Sequence, residues 1–525
     1  MTRAFPWILV VAVLVGWANV VRGPFVYDDL IEIVGNPAVH EVSRLDTMWS
    51  YNPARVLLLL TYALNWRLGY LDPLGYHLLN IAIHAANAVL AWRFLGLFLS
   101  PGRARLGAAL WALHPMTTEG VSYISGRSDA LVTLFALLAV HSWVVDARSP
   151  SPRHRAIAYV AMLAGFFTKE SSVATPVLAG VAELALVAGW NLRLLDKRRY
   201  APVVLVLGLG VMARLGLSGW PVPEVPRTFL AHLASQAEVW ARYVQLWLLP
   251  VGQSILHPVP AELSRLAGLC LFAWVPVLAL AAYRRGIYGL LAAWWTLPLL
   301  VSSTFVLKET MAEHRAYAAG LAIAALVAWK LPETRLTWAL PALLLVGTVS
   351  RNQAWTSEVA TWESAVKRWP GSADAWYAYG DALRAEKLRI DAQSAYAKAL
   401  EIDPSRVDAL VNTGIARAEA GDVSGAREAW EEALRRKPGH CPALNNLAGL
   451  RLRAGDVEGA LAGYEATLRT CADDPMAHFN LGMVWAGAGN PEKAAAHLRA
   501  YLRVDPGGAN ASRARAALRR LGVSD

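Results

Sequence analysis

Between residues 7 and 350 the chain carries apolar runs of helical length one after another, and no other feature limits its fold as strongly. They fall near residues 7–21, 76–98, 104–117, 128–146, 155–168, 171–189, 198–217, 266–283, 286–303, 314–330 and 336–350. A stretch of ~20 apolar residues crosses a bilayer as a helix, and shorter ones serve where helices are broken or buried. About 11 spans are therefore predicted, in a chain of 525 residues that is 55% hydrophobic with 22 Trp and a mean hydropathy of +0.33. Two amphipathic stretches, 55–68 and 232–249, carry charge or Gln within them and are expected along the membrane interface. The first run resembles a secretory signal, with Gly16-Trp17-Ala18 as a possible cleavage site. It reads better as an uncleaved first span, because many spans follow.

Loop charge sets the orientation. With the N-terminus inside, the inner loops hold Arg103 and Arg105, Arg148 to Arg155, Arg193 to Arg199, Arg284 and Arg285, and Lys330 and Arg335. Short basic loops on the inner side are what the positive-inside rule requires. An odd number of spans then leaves everything after residue 350 on the outer face. Almost all of the formal charge of +10 resides in the membrane part, since residues 351–525 hold 23 basic and 22 acidic side chains. No basic run with interleaved aromatics suggests nucleic-acid binding.

Residues 351–525 form a second domain, following a first of residues 1–350. Gly380, Gly414, Ala448 and Gly482 are each 34 residues apart, as are Ala375, Ala409, Ala443 and Ala477. Tyr396, Trp430, Tyr464 and Leu498 repeat with the same period, and Pro370, Pro404, Pro438 and Pro506 close units, Ala472 taking one place. Small residues where two helices touch, large ones where pairs stack and a 34-residue period are the signature of tetratricopeptide repeats. Trp355 to Trp369, with Trp362 in phase, reads as the second helix of a degenerate first unit. Ser512 to Leu521 reads as a solvating cap. Cys441 precedes the first helix of one unit and Cys471 follows its second, so an antiparallel pair brings them to one end and a disulfide is expected. Cys270 lies in a span and reads as a packed apolar residue.

This topology sorts the ionisable residues of the first domain by side. Asp28 and Asp29, His114 and Glu119, Arg127 and Asp129, Lys169 and Glu170, and Lys308, Glu309, Glu313, His314 and Arg315 all fall at outer ends of spans. Charge near a bilayer is costly and usually functional. Each group also has a plain alternative: a solvated loop for Asp28-Asp29, a salt-bridged turn for Lys169-Glu170, a helix cap for Ser128-Asp129. One His and one carboxylate at 114 and 119 fall short of a catalytic zinc set; no metal site is predicted, a divalent ion staying open. His77, Asn80 and His84 share one helix face, for interhelical hydrogen bonding or acceptor contact. Cations such as Lys308, Arg315 and Arg127 suit a phosphate. Attack of a hydroxyl on the anomeric carbon of a lipid-phosphate sugar fits this set, a carboxylate acting as base and cations stabilising the departing phosphate.

In order along the chain, Phe25-Val26-Tyr27-Asp28-Asp29 with Asn36-Pro37, Gly75-Tyr76-His77-Leu78-Leu79-Asn80 with His84 and Asn87, His114-Pro115 with Thr118-Glu119, Gly126-Arg127-Ser128-Asp129, and Lys169-Glu170 stand as motifs. They resemble those of the transmembrane and tetratricopeptide-repeat O-mannosyltransferases and their bacterial relatives. The resemblance implies an all-α chain: a multi-span helical domain of the C-type glycosyltransferase fold followed by a repeat solenoid. It implies a polyprenyl-phosphate sugar as donor, no metal cofactor, and an acceptor hydroxyl, protein Ser/Thr, met on the extracytoplasmic face with the repeats presenting it. Asp28 and Asp29 then supply the base, Arg127, Lys169 and Glu170 join the active surface, and Lys308, Glu313, His314 and Arg315 bind donor phosphate or sugar. Glu313-His314-Arg315-Ala316-Tyr317 departs from the family's Glu-Arg-Tyr-rich segment, and Asn52-Pro53-Ala54-Arg55 from its Arg-Pro motif. Ala- and Arg-rich composition points to a bacterial inner membrane with the repeats in the periplasm. Two alternatives stay open: a lipid or envelope-glycan acceptor, and a non-enzymatic membrane scaffold assembling partners through its repeats.

Overall fold

The computed structural model describes residues 3–205, 208, 228–258, 265–304, 309–508 and 510–523. Lys308 and most of the run 198–217 lie outside the described residues. Helices are the regular elements throughout, with no strand among the described residues. The chain divides into two units, Met1–Ser364 and Ala365–Asp525.

Local sequence sets the helix starts of the first unit. Asp72, Ser100 and Ser151 each cap a helix by accepting a backbone N–H, and Pro follows each cap, where its missing N–H costs nothing. The helices so begun are Pro73–Leu95, Pro101–Ala112 and Pro152–Phe166. Asn36 and Asn52 cap the short turns Pro37–Val39 and Pro53–Arg55 in the same way.

Among the described residues, three helical segments are long and apolar enough to cross a membrane: Pro73–Leu95, Ile124–Arg148 and Gly286–Ser303. The apolar helix Arg265–Arg284 has 20 residues. Phe5–Trp17, Pro101–Ala112, Pro152–Phe166, Ala174–Leu186, Gly320–Lys330 and Ala339–Asn352 run only 11 to 15 residues. These helices are short because Pro caps and 3-10 turns such as Pro115–Thr117 and Glu170–Val173 interrupt the apolar runs.

The amphipathic stretches are both helical. Val56–Gly69 packs Leu58, Leu59, Tyr62 and Ala63 into a cluster with Ile33, Val39, Met48, Tyr76 and Ile124, which ties the first loop to the bundle. Phe229–Leu248 differs from an interfacial helix, whose polar face would meet water. Its polar stripe points into the protein: His232 meets the Ser303 carbonyl at 2.7 Å, Ser303 donates to Gln236 at 2.8 Å, and the Tyr243 hydroxyl donates to the Ala312 carbonyl at 2.6 Å. Gly320 is needed beside it, since a Cβ there would overlap the Trp247 ring.

Basic residues of several loops are held at helix ends by carbonyls and carboxylates. Arg148 donates to the Leu97 carbonyl at 2.9 Å, and Asp146 accepts from Arg155 at 3.0 Å and Arg199 at 3.1 Å. Glu183 accepts from Arg199, Tyr200 and Trp143. Buried carboxylates persist when their lone pairs are filled in this way.

The second unit is the expected repeat array. Its helix pairs are Ala373–Ala385 with Arg389–Ile402, Val407–Glu419 with Val423–Arg436, Cys441–Arg453 with Val457–Thr470, and Pro475–Gly487 with Pro491–Val504. Gly380, Gly414 and Gly482 face Tyr396, Trp430 and Leu498 so closely that a Cβ would collide with the larger side chain. The helix Ala511–Arg520 covers the last pair with Leu518 and Ala514 against Phe479, Leu498 and Tyr501. Cys441 and Cys471 form a disulfide with Cα atoms 6.4 Å apart, and Cys270 is free.

The disulfide closes a loop with a sequence separation of 30, so a Cys441→Ser/Cys471→Ser protein is expected to lose about 3 kcal/mol of stability in its repeat unit. Peptide maps should show a 441–471 crosslink that reduction removes, and the thermal transition of the double variant should fall below that of the oxidised protein.

Candidate functional site

The first loop places its two carboxylates differently. Asp29 is fully buried and accepts from the Ser125 N–H at 2.7 Å, the Ser125 hydroxyl at 2.5 Å and the Val26 N–H at 3.1 Å. Burial pushes its carboxyl up to about 7, the Ser125 and Val26 donors opposing and Asp28 adding. Asp28 is half-buried, and its backbone N–H donates to the Tyr123 hydroxyl at 3.0 Å. Tyr27, just before it, has φ +55, a conformation costly for a residue with a Cβ. A π-helix, Leu30–Val34, follows directly; such turns cluster at functional sites.

Glu32 in that turn lies within electrostatic reach of Asp28, Arg55 and Glu170. Burial raises its carboxyl, Arg55 opposes the rise, and Asp28 and Glu170 add to it. Arg55 also pairs with Glu170 at 3.4 Å. Lys169, next in sequence, donates to Asp129 at 2.5 Å and to the Ser128 hydroxyl at 3.3 Å. Burial pushes the Lys169 ammonium down, Asp129 restores it, and the nearby cations Arg55 and Arg315 oppose it. Three cations thus sense one another over a single surface.

His314 joins the late segment to this surface. Its Nδ1 lies 2.6 Å from Glu119 and its Nε2 3.8 Å from Asp129. Arg315 is half-buried, with one nitrogen donating to the Glu309 carbonyl at 2.8 Å. The Glu309 carboxylate accepts from the Tyr27 hydroxyl; burial raises this carboxyl against the pull of Arg315 and His314. Glu313 turns inward instead, accepting from Gln253 at 2.9 Å, the Ser254 N–H at 2.7 Å and His257 at 2.8 Å.

Several of the candidate residues are buried and hydrogen-bonded within the protein. Arg127 is 0% exposed: Nε donates to Asn80 at 2.6 Å, and its two amino groups to Thr61 at 3.1 Å and the Tyr76 carbonyl at 3.0 Å, with the Tyr62 ring 4.7 Å away. Each of its three nitrogens is thus held by the protein, so it ties three segments together. His77 bonds the Gly23 carbonyl at 3.0 Å, and His84 bonds Tyr317 at 2.6 Å and the Ala112 carbonyl at 2.8 Å. His114 accepts the Met116 N–H at 3.1 Å and stacks on Trp247, while Glu119 turns to His314, so the two do not form a ligand pair. Among the described residues no group of three His, Cys, Asp or Glu side chains is arranged to hold a metal ion.

Tyr123, Glu32, Gln253 and His257 are absent from the sequence-derived set. Glu32 lies four residues after Asp28, a helical spacing that could have flagged it. Nothing in sequence pairs Tyr123 with Asp28, or His257 with Glu313.

In the repeat unit a groove of about 530 Å³ is lined by Leu452, Met476, Phe479, Asn480, Met483 and Arg513, among others. Arg513 lies 5.2 Å from the Phe479 ring.

The tetratricopeptide repeat family matches residues 359–388, 391–441 and 443–509. Human protein O-mannosyl-transferase TMTC3 is 31% identical over 198 residues, 34% of this chain and 21% of that protein. The Caenorhabditis elegans protein O-mannosyl-transferase F38B6.6 is 24% identical over 447 residues, 76% of this chain and 62% of its own length. Among solved structures, a thermophilic tetratricopeptide-repeat protein of Thermus thermophilus is 17% identical, covering 34% of this chain and 94% of its own, with a TM-score of 0.28. This is an all-helical chain of apolar helices with a repeat array. Its sequence is similar to those of the TMTC-type protein O-mannosyl-transferases, and its match to human TMTC3 spans about a fifth of that protein.

Two outcomes follow from the site. Arg127→Lys keeps the charge but loses the planar fork, so it should destabilise the fold by about 2 kcal/mol or more through unpaired Asn80 and Tyr76 acceptors; a phosphate ligand would instead tolerate Lys and show its loss in substrate affinity. The raised Asp29 carboxyl favours the folded state fully below its unfolded value of about 4, and this contribution is lost as pH rises through about 7. Thermal unfolding of wild type beside Asp29→Asn should therefore show wild type losing ground steadily between those two pH values.

Proposed function

We propose that the protein is an integral-membrane glycosyltransferase that moves a hexose, mannose or a close relative, from a polyprenyl-phosphate carrier to a Ser/Thr hydroxyl of an acceptor protein. The reaction takes place on the extracytoplasmic face. The observation that carries this reading is the half-buried carboxylate of Asp28 on the same surface as Arg55, Lys169 and Arg315. The TMTC-type relatives, named as protein O-mannosyl-transferases, support it.

In this reading Asp28 takes the proton of the acceptor hydroxyl, and the hydroxyl oxygen forms its bond to the anomeric carbon. The bond from that carbon to the carrier phosphate breaks, and the phosphate leaves with the electron pair. Lys169 and Arg315 stabilise the departing charge, Lys as a point charge and Arg through its fork. In this reading the cations take the place of a metal, so chelators should leave the rate unchanged. Asp29 differs from Asp28 in role: its oxygens are filled by Ser125 and Val26, so it holds the loop. The groove at Met476, Phe479 and Met483 gives the repeats an apolar surface for the acceptor chain.

The test is sugar transfer in liposomes from a panel of polyprenyl-phosphate sugars to protein acceptors. Asp28→Asn should fold and lose on the order of 10²–10⁴ in kcat. Lys169→Met and Arg315→Met should lower kcat/KM for the donor. Full turnover by Asp28→Asn would remove the base from this reading, and a wild type that binds no donor would remove the transferase.

A further inference from the structure

The segment that opens the repeats is packed against the first loop inside the first unit. Thr348 donates to the Leu113 carbonyl at 2.8 Å; Asn352 accepts from Ser122 at 2.6 Å and donates to the Gly16 carbonyl at 2.9 Å. Trp355, 2% exposed, stacks on Tyr123 with centroids 5.7 Å apart and planes 21° apart. Its carbonyl sits against Gly23, where a Cβ would overlap it. Trp362, 6% exposed and in the helix Glu358–Arg368, meets the Tyr27 ring edge-on at 5.7 Å.

These two contacts bracket Asp28. Tyr123 holds the Asp28 N–H from one side, and Tyr27 precedes it in the chain. A left-handed Tyr persists only where its surroundings hold it, and Trp362 and Glu309 are what hold Tyr27. Trp362 also lies within the tetratricopeptide match, which begins at residue 359.

We infer that Trp355 and Trp362 are positioning residues for the Asp28 carboxylate, so that the helix heading the repeats fixes the loop carrying the base. The inference rests on the reading of Asp28 given above. They act through Tyr123 and Tyr27, and their removal leaves the donor's cations in place. A strained loop released from its support relaxes by local opening, and a misplaced base costs rate more than binding.

The test uses the full-length protein in liposomes, with Trp362→Ala, Trp362→Phe, Tyr27→Leu and, as a control in the array, Trp485→Ala. Amide hydrogen exchange over residues 26–30 should quicken by about tenfold or more in Trp362→Ala and Tyr27→Leu, as expected for a local opening. Trp362→Phe should keep most of the protection and Trp485→Ala all of it. In transfer assays, Trp362→Ala should lower kcat by about tenfold with the donor KM within about twofold, the pattern of a displaced group, and Phe should restore it. Wild-type exchange over 26–30 in folded Trp362→Ala or Tyr27→Leu overturns the inference, as does equal quickening in Trp485→Ala. If Trp362→Ala does not fold, Tyr27→Leu decides from the loop side. A wild type without transfer activity defeats the base reading alone, because exchange still decides whether the loop is held.

Discussion

A single buried guanidinium organises the first unit. Arg127 opens the helix Arg127–Arg148 and reaches Asn80 and the Tyr76 carbonyl on one neighbouring helix and Thr61 on another. Burying such a charge is costly unless its donors find partners in good geometry, and three segments must meet at one point to supply them. Asn80 then spends its amide on the carbonyls of Val121, Tyr123 and Ile124. The turn bearing Tyr123 and Ser125, on which the first loop rests, is therefore tied to the bundle. Asp29 completes the arrangement by accepting from Ser125.

From this follows a division of labour among charged residues that look equivalent in sequence. Asp28 and Asp29 are adjacent, yet one is sealed by donors and the other is left half-buried. Arg127 and Arg315 are both cations at the ends of apolar runs, yet one has its fork filled by the protein and the other is half-buried on the surface shared with Lys169. Glu119 and Asp129 are drawn to His314 and Lys169, so the loops after the third and fifth apolar runs and before the tenth are cross-linked by charge. The result is a surface with the half-buried Asp28 and several cations.

The repeat unit depends on a simpler constraint. Each pair needs a residue without a large side chain where its helices cross, and Gly380, Gly414 and Gly482 meet it against Tyr396, Trp430 and Leu498. Such contacts are local in sequence and recur with a fixed period, which is why the array, its small and large positions, its cap and the meeting of Cys441 with Cys471 were all legible in the chain. Charged residues near the ends of several apolar runs do meet in the structure, Lys169 with Asp129 and His314 with Glu119.

What the sequence could not decide is which charges are free. It determined an all-helical chain with apolar helices, a tetratricopeptide array and a set of ionisable residues around Asp28, since these follow from periodicity and hydropathy. Tertiary structure alone decided that Arg127, His77 and His114 are interior partners, that Phe229–Leu248 turns its polar stripe inward, and that Tyr123, Trp355 and Trp362 support the first loop. The physical reason is that a hydrogen bond or ring contact spanning 95 residues, as between Asp28 and Tyr123, or 335, as between Tyr27 and Trp362, leaves no periodic trace in the chain. Whether a donor is satisfied depends on what packing brings to it.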